Sequence, residues 1–250
     1  RSRGVPSAGI VVNLTPQHPA SDSPADEHAA RLAHAYINRQ FLDPILLGSH
    51  PEEMATLYGD AWRPLSAADL AAASRPVDFV GVNYYLREVV EADPAATPFG
   101  MKIVRQLGRP YSEMGWEIYP DGLREILVWV RDRYGDMPLA ITENGVALID
   151  PPVVDGTVAD GPRIDYLRAH LAAAAEALAT GVDLRGYFLW SLLDNFEWAH
   201  GYGKRFGMVH VDPTTGRRTP KTSAWWYRGQ IEASASAKAR PAAAALGETP

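Results

Sequence analysis

Four continuous apolar runs set the first limit on what this chain can fold into: "GIVVNL" at 9–14, "VDFVGVNYY" at 77–85, "PLAITEN" at 138–144 and "RGYFLWSLL" at 185–193. They do not alternate polar with apolar residues. Each therefore predicts a strand covered on both faces, the arrangement of a parallel sheet. Helical patterns lie between the runs. Residues 25–48 carry acidic side chains in the first turn and Gly48 at the end, with Pro44 marking a break. Ser66 is an N-cap for a helix over 66–74. Over 121–135, Leu123, Ile126, Leu127 and Val130 fall on one helical stripe, and Gly135 ends it. Residues 163–181 form another helix closed by Gly181. Alternation of this kind predicts parallel βα units in an α/β fold. A closed (β/α)8 barrel needs eight such units in about 250 residues; four are legible here.

Composition narrows the function classes. A net charge of −6 argues against a phosphate-binding surface, so no nucleic-acid partner is expected. With no cysteine there is no disulfide, thiol nucleophile or thiolate metal site, which is compatible with a reducing, cytoplasmic setting. No run approaches the roughly 18–20 apolar residues of a membrane span, and the opening "RSRGVPSAGI" lacks the layout of a signal peptide. Two long stretches, 86–118 and 194–222, are rich in Gly, Pro and aromatics, and loops of that length are usually functional. The Ala-rich residues 233–250 read as a disordered tail after a domain spanning 1–232.

The polar residues within the apolar runs share one location. Asn13, then Asn83 with Tyr84 and Tyr85, then Glu143 with Asn144, then Trp190 all fall at or near the C-terminal end of a strand. In parallel α/β folds that end carries the active site. A lone strand-end Glu is usually a solvated acid, and a lone Trp is usually core. Here "WSLLDNFEWAHGYGKRFG" (190–207) sets Trp190 and Trp198 either side of Glu197, which suits a sugar: indoles stack on pyranose faces while Glu and Asn bond the hydroxyls. Other motifs fail. "GYGKRFG" lacks the Gly-Lys-Ser/Thr ending of a phosphate loop, the seven histidines show no metal spacing, and Gly-x-Ser-x-Gly is absent. No metal and no organic cofactor are expected.

"ITENG", "GVNYY", "GYFLWSLLDNFEWAHGYGKRFG" and "RTPKTSAWWYR" resemble glycoside hydrolase family 1, the β-glucosidase and β-galactosidase family of (β/α)8 TIM barrels. The likeness runs in order from about residue 9 to about residue 230, and the opening resembles the family's fifth strand. It implies strands five to eight of such a barrel, and a retaining mechanism on small β-glucosides through a covalent glycosyl-enzyme. Glu143 is implied as nucleophile, with Tyr85 holding its carboxylate and Asn83 in the surrounding polar network. Trp190 is implied as floor of the sugar pocket, Glu197 as acceptor for the 4- and 6-hydroxyls, Trp198 as partner of the 3-hydroxyl and Trp116 as a platform for the aglycone. The family's acid/base Glu lies in a Thr-Asn-Glu-Pro motif that this sequence lacks. Glu113, Glu117 and Asp194 are the local acids that could replace it, although nothing in the sequence sets one about 5–5.5 Å from Glu143. Two readings stand: half of a glycosidase that needs its acid from elsewhere, or a non-catalytic sugar-binding half. Either one makes the missing N-terminal half, or a second copy, the expected partner.

Overall fold

The structure, a computed structural model, describes residues 7–239. They fall into two compact units, one reaching Gly145 and resuming at Ala169–Leu189, the other comprising Val146–Arg168 and the residues from Trp190 onward.

The first unit opens with β1 (Gly9–Asn13) and β2 (Gln17–Pro19), then α1 (Pro24–His34), a π-helical turn (Ala35–Arg39) and α2 (Gln40–Leu46). The short helices α3 (Glu53–Tyr58) and α4 (Ala67–Ala73) follow, then β3 (Phe79–Tyr84), β4 (Glu88–Ala92) and β5 (Met101–Ile103). Next come α5 (Pro120–Tyr134) and β6 (Leu139–Asn144), with α6 (Gly161–Ala179) leading to β7 (Leu184–Leu189). The principal sheet runs β1-β3-β6-β7, and every neighbouring pair is parallel. All four expected strands are in it. Within 86–118, read as a loop, the chain builds β4 and β5, which pair antiparallel and join β2 in a second sheet.

Local chemistry explains the helix starts. The amide of Asp26 donates to Ser23 Oγ at 3.1 Å, with Pro24 at the first helical position of α1. The amide of Asp69 donates to Ser66 Oγ at 3.1 Å at the head of α4. The helix break expected at Pro44 lies one turn earlier. α2 runs through Pro44, and the wide π turn before it, closed by Gln40 N–H to Ala35 O, re-registers the backbone next to the carbonyl the proline ring would otherwise strike.

Leu123, Ile126, Leu127 and Val130 of α5 pack with Val80, Val82 and Ile141 of the sheet, all at most 1% exposed. Each such side chain contributes about 1.5–3 kcal/mol of burial before conformational entropy is counted. The opposite sheet face corrects the expectation of two-sided cover. A Cβ at Gly81 would meet both Val11 and Thr142, so these residues share that face. There Val11 is 47% exposed, and on β7 Phe188 is 61% exposed. Apolar character in a strand reports what a face can bury, and this face remains open.

In the second unit β8 (Val209–Val211) and β9 (Arg218–Pro220) form an antiparallel hairpin leading to α7 (Thr222–Ala239). Asp160 caps α7: its Oδ1 accepts from Ser223 N at 2.8 Å and its Oδ2 from Ser223 Oγ at 2.6 Å. Residues 233–239, placed in the tail on composition, continue this helix, while 240–250 lie outside the described residues. Among the described residues no helix is long and apolar enough to cross a membrane.

Candidate active site

The first unit brings four of the expected residues into one neighbourhood. β3 and β6 pair Val82 with Ile141 and then Asn83 with Glu143, so the register slips by one residue at the strand ends. That bulge sets Glu143, not Thr142, opposite Asn83. Thr142 Oγ1 donates to Asn83 Oδ1 at 2.7 Å across the slip. The end of β6 is also fastened through Asn144, whose Nδ2 donates to Tyr84 O at 2.8 Å and whose Oδ1 accepts from the Tyr187 hydroxyl. Tyr84 is fully buried and donates to Tyr119 O at 2.5 Å. Gly122 makes room for it, since any Cβ there would strike the Tyr84 hydroxyl.

On this frame Tyr85 Oη donates to Glu143 Oε2 at 2.6 Å. The Trp116 ring lies 5.3 Å from that of Tyr85 at 53°. Glu143 is half-buried. The result is an oriented carboxylate beside aromatic rings, with a neutral phenol rather than a cation as its donor.

Trp190, Glu197 and Trp198 belong to the second unit. Trp190 is half-buried, and its peptide bond to Ser191 is cis. The Glu197 amide donates to Gly201 O at 2.7 Å, closing a short turn over Trp198–His200. Trp198 is 84% exposed with φ of 40°. The loop is tied down by charges that the sequence reading did not find. Lys221 is fully buried, 2.7 Å from Asp150 Oδ2 and 3.0 Å from Asp194 Oδ1. Asp194 Oδ1 also accepts from Gly207 N at 2.9 Å. Asp150, Asp194 and His210 bring metal-type ligand atoms within 4.8 Å of one another, but the Lys221 ammonium already sits on both carboxylates. Arg163, 1% exposed, bonds Asp160 Oδ2 at 2.9 Å and Arg205 O at 3.1 Å.

Residues 5–235 match the model of Glycosyl hydrolase family 1. The chain belongs to this family. β-Glucosidase A of Thermotoga maritima is 43% identical over 225 residues, covering 90% of this chain and 50% of that protein. β-Glucosidase A of Acetivibrio thermocellus is 40% identical over 228 residues, covering 90% and 51%. Among solved structures, the family 1 β-glucosidase of Thermotoga maritima superposes with a TM-score of 0.86 at 42% identity, over 90% of this chain and 51% of its own. The family 1 β-glucosidase of Exiguobacterium antarcticum gives 0.87 at 42% identity, over 92% and 52%. The family 1 chain described here thus spans about half the length of the relatives it matches.

Two of the three acids weighed as stand-ins for the family's acid/base are engaged elsewhere. Glu117 is 4% exposed and accepts from Arg87 through both oxygens at 3.1 Å, and from Arg109 at 3.1 Å. Asp194 carries Lys221 and the Gly207 amide. Glu113 is exposed.

Proposed function

We propose that this chain is the nucleophile-bearing and sugar-recognising part of a retaining β-glycosidase that acts on short β-glucosides. The hydrogen bond from Tyr85 to Glu143 at 2.6 Å carries this reading. Tyr85 aims the carboxylate, and the Glu143 oxygen attacks the anomeric carbon as the bond to the leaving oxygen breaks, giving a glycosyl ester. Water then attacks that ester, releasing the sugar and regenerating Glu143. Trp190 floors the sugar, Glu197 accepts from its 4- and 6-hydroxyls, Trp198 reaches the 3-hydroxyl and Trp116 flanks the aglycone. A proton must reach the leaving oxygen in the first step and leave the attacking water in the second. Glu117 and Asp194 are already paired and the sequence lacks the family's Thr-Asn-Glu-Pro motif, so the chain alone is expected to be inactive on poor leaving groups.

A 2-deoxy-2-fluoro β-glucoside with a dinitrophenolate leaving group tests this, because it needs a nucleophile and little protonation. Intact mass and peptide mapping should find one glycosyl adduct, on Glu143. Tyr85→Phe should slow labelling about 10- to 100-fold, the value of a charge-assisted hydrogen bond. An adduct on any other residue refutes the assignment.

The open sheet favours a second reading, in which sugar binding itself awaits a complementary half. β1 and β7 each have one ladder partner in the four-stranded sheet, and Val11 and Phe188 are exposed beside them. Folded protein that gives no adduct at all would select this reading.

A further inference from the structure

Arg87 lies two residues beyond Tyr85, and its guanidinium is engaged on three sides. The side chain is 11% exposed. Nε and NH2 grip the two oxygens of Glu117 at 3.1 Å each, a forked pair that fixes direction as well as distance. NH1 lies 3.0 Å from His18 Nδ1. A guanidinium only donates, so Nδ1 accepts, which leaves Nε2–H to donate to Glu125 Oε2 at 2.8 Å. The guanidinium face covers the Tyr119 ring, 3.8 Å from its centroid. Arg87 therefore ties the chain just past β3 to β2 and α5 through His18, and to the segment carrying Trp116 through Glu117.

That segment is a small hairpin. Ser112 N donates to Trp116 O and Ile118 N to Pro110 O, both at 2.9 Å, and Tyr111 bridges to Glu117. Arg109 belongs to the same hairpin, so its 3.1 Å bond to Glu117 holds the hairpin to itself. Arg87 reaches it from the sheet. Tyr84, through Tyr119 O, anchors the chain three residues past Trp116, whereas Arg87 anchors the residue next to the indole. The neighbours of this link are the residues that meet at the site: Tyr85, which donates to Glu143, and Trp116, whose ring lies 5.3 Å from that of Tyr85. Trp116 is half-buried, so part of the indole rests on Tyr85 and part stays accessible.

We infer that Arg87 is a positioning residue that sets how well the site accepts a flat aromatic aglycone. It acts through Glu117, holding Trp116 beside Tyr85. An aryl leaving group then meets a fixed indole rather than a mobile one, and less freedom is lost on binding. This role rests on Glu143 as nucleophile and on Trp116 as the aglycone platform.

Two labelling reagents that share the sugar and differ in the leaving group test it: 2-deoxy-2-fluoro-β-glucosyl fluoride and the dinitrophenyl 2-deoxy-2-fluoro β-glucoside. The ratio of their rates cancels any change at Glu143 or in the sugar pocket. In Arg87→Met the dinitrophenyl-to-fluoride ratio of second-order labelling rates should fall about three- to tenfold, the scale of one aromatic contact. The loss should appear in the Ki of the dinitrophenyl reagent, not in its limiting rate. Arg87→Lys keeps a charge beside Glu117 but cannot form the fork. Its ratio should fall in the same direction, and this milder change carries the test if Arg87→Met does not fold. An unchanged ratio in folded variants, with both reagents slowed alike or neither slowed, overturns the inference. Wild-type protein labelled by neither reagent fails the reading of Glu143, and the inference with it.

Discussion

Asp43 should be among the most costly single carboxylates to neutralise. It is 2% exposed in α2 and takes four hydrogen bonds. Arg133 donates through Nε to Oδ1 at 2.9 Å and through NH2 to Oδ2 at 2.7 Å, Arg39 donates to Oδ2 at 3.2 Å, and Tyr134 to Oδ1 at 2.6 Å. Asp43→Asn keeps the volume but turns an acceptor into a donor facing donors, and leaves Arg133 without its carboxylate. Breaking a buried pair from one side costs about 3–5 kcal/mol. At about 2–4 °C per kcal/mol for a chain of this size, Tm should fall by about 6–20 °C. Urea unfolding followed by Trp fluorescence is a suitable assay, since Trp129 meets Tyr134 edge-on at 5.5 Å. Asp183→Asn is the control: its pair with Arg185 is exposed, 46% and 53%, so Tm should stay close to wild type. The pH dependence follows with a definite sign. Burial pushes the Asp43 carboxyl up, but the hydrogen bonds of Arg133 and Tyr134 and the charges of Arg133 and Arg39 more than offset it, leaving it lowered. A folded-state pKa below the unfolded one gives stability present above about pH 4 and lost as pH falls through the folded value. The gap between wild type and Asp43→Asn should therefore narrow on acidification below that point. A loss under about 1 kcal/mol at pH 7, or a gap that stays constant into acid, would show that desolvation cancels the attraction.

Two further perturbations probe the frame and the open face. Gly122→Ala should destabilise by about 1–3 kcal/mol despite better helix propensity, because the new Cβ strikes the Tyr84 hydroxyl. Tyr84→Phe in the same chain should restore only part of the loss, since Tyr119 Cδ1 also lies 2.9 Å from that Cβ, and additive losses in the double-mutant cycle would refute the clash. Phe188→Ser removes an exposed ring, so stability should change by no more than about 0.5 kcal/mol, while sedimentation should show weaker self-association. Wild-type and variant protein that sediment identically as monomers would refute a sticky face.

How much of this could be read in advance depended on how local each cause is. The four parallel strands and the buried stripe of α5 were legible, because apolar continuity and a 3.6-residue period are written into neighbouring residues. The π turn at Ala35–Arg39 was not, since nothing in its five residues differs from ordinary helix. β4 and β5 were missed because charges such as Glu88, Glu91 and Lys102 interrupt these short strands and mask the pairing of Val90 with Ile103. Lys221 lies buried between acids 27 and 71 positions away along the chain, a partnership no spacing rule reveals.

The same distinction governs the candidate site. The sequence set Glu143 apart as the nucleophile by its strand-end position, and offered Glu117 and Asp194, with Glu113, only as stand-ins for the absent acid/base. What separates them in the structure is the partner that the fold delivers. Sheet order β1-β3-β6-β7 sets β6 beside β3, so a phenol 58 residues distant reaches Glu143 and orients it without adding a positive charge. Glu117 instead receives Arg87 through both oxygens, with Arg109 on one of them, at 4% exposure. A carboxylate held by guanidinium groups is poorly placed to give up or accept a proton, because each change of charge breaks a buried pair. Replacing Arg87 by Met would therefore cost stability, by about 3–5 kcal/mol on the same reasoning as for Asp43, without freeing a useful acid. Measured on phenyl β-glucoside, whose leaving oxygen needs protonation, hydrolysis by folded Arg87→Met protein should stay as low as that of wild type at neutral pH. A rate that rises in the variant, and then falls as pH increases through the pKa of a newly recruited acid, would instead put Glu117 within reach of the leaving oxygen.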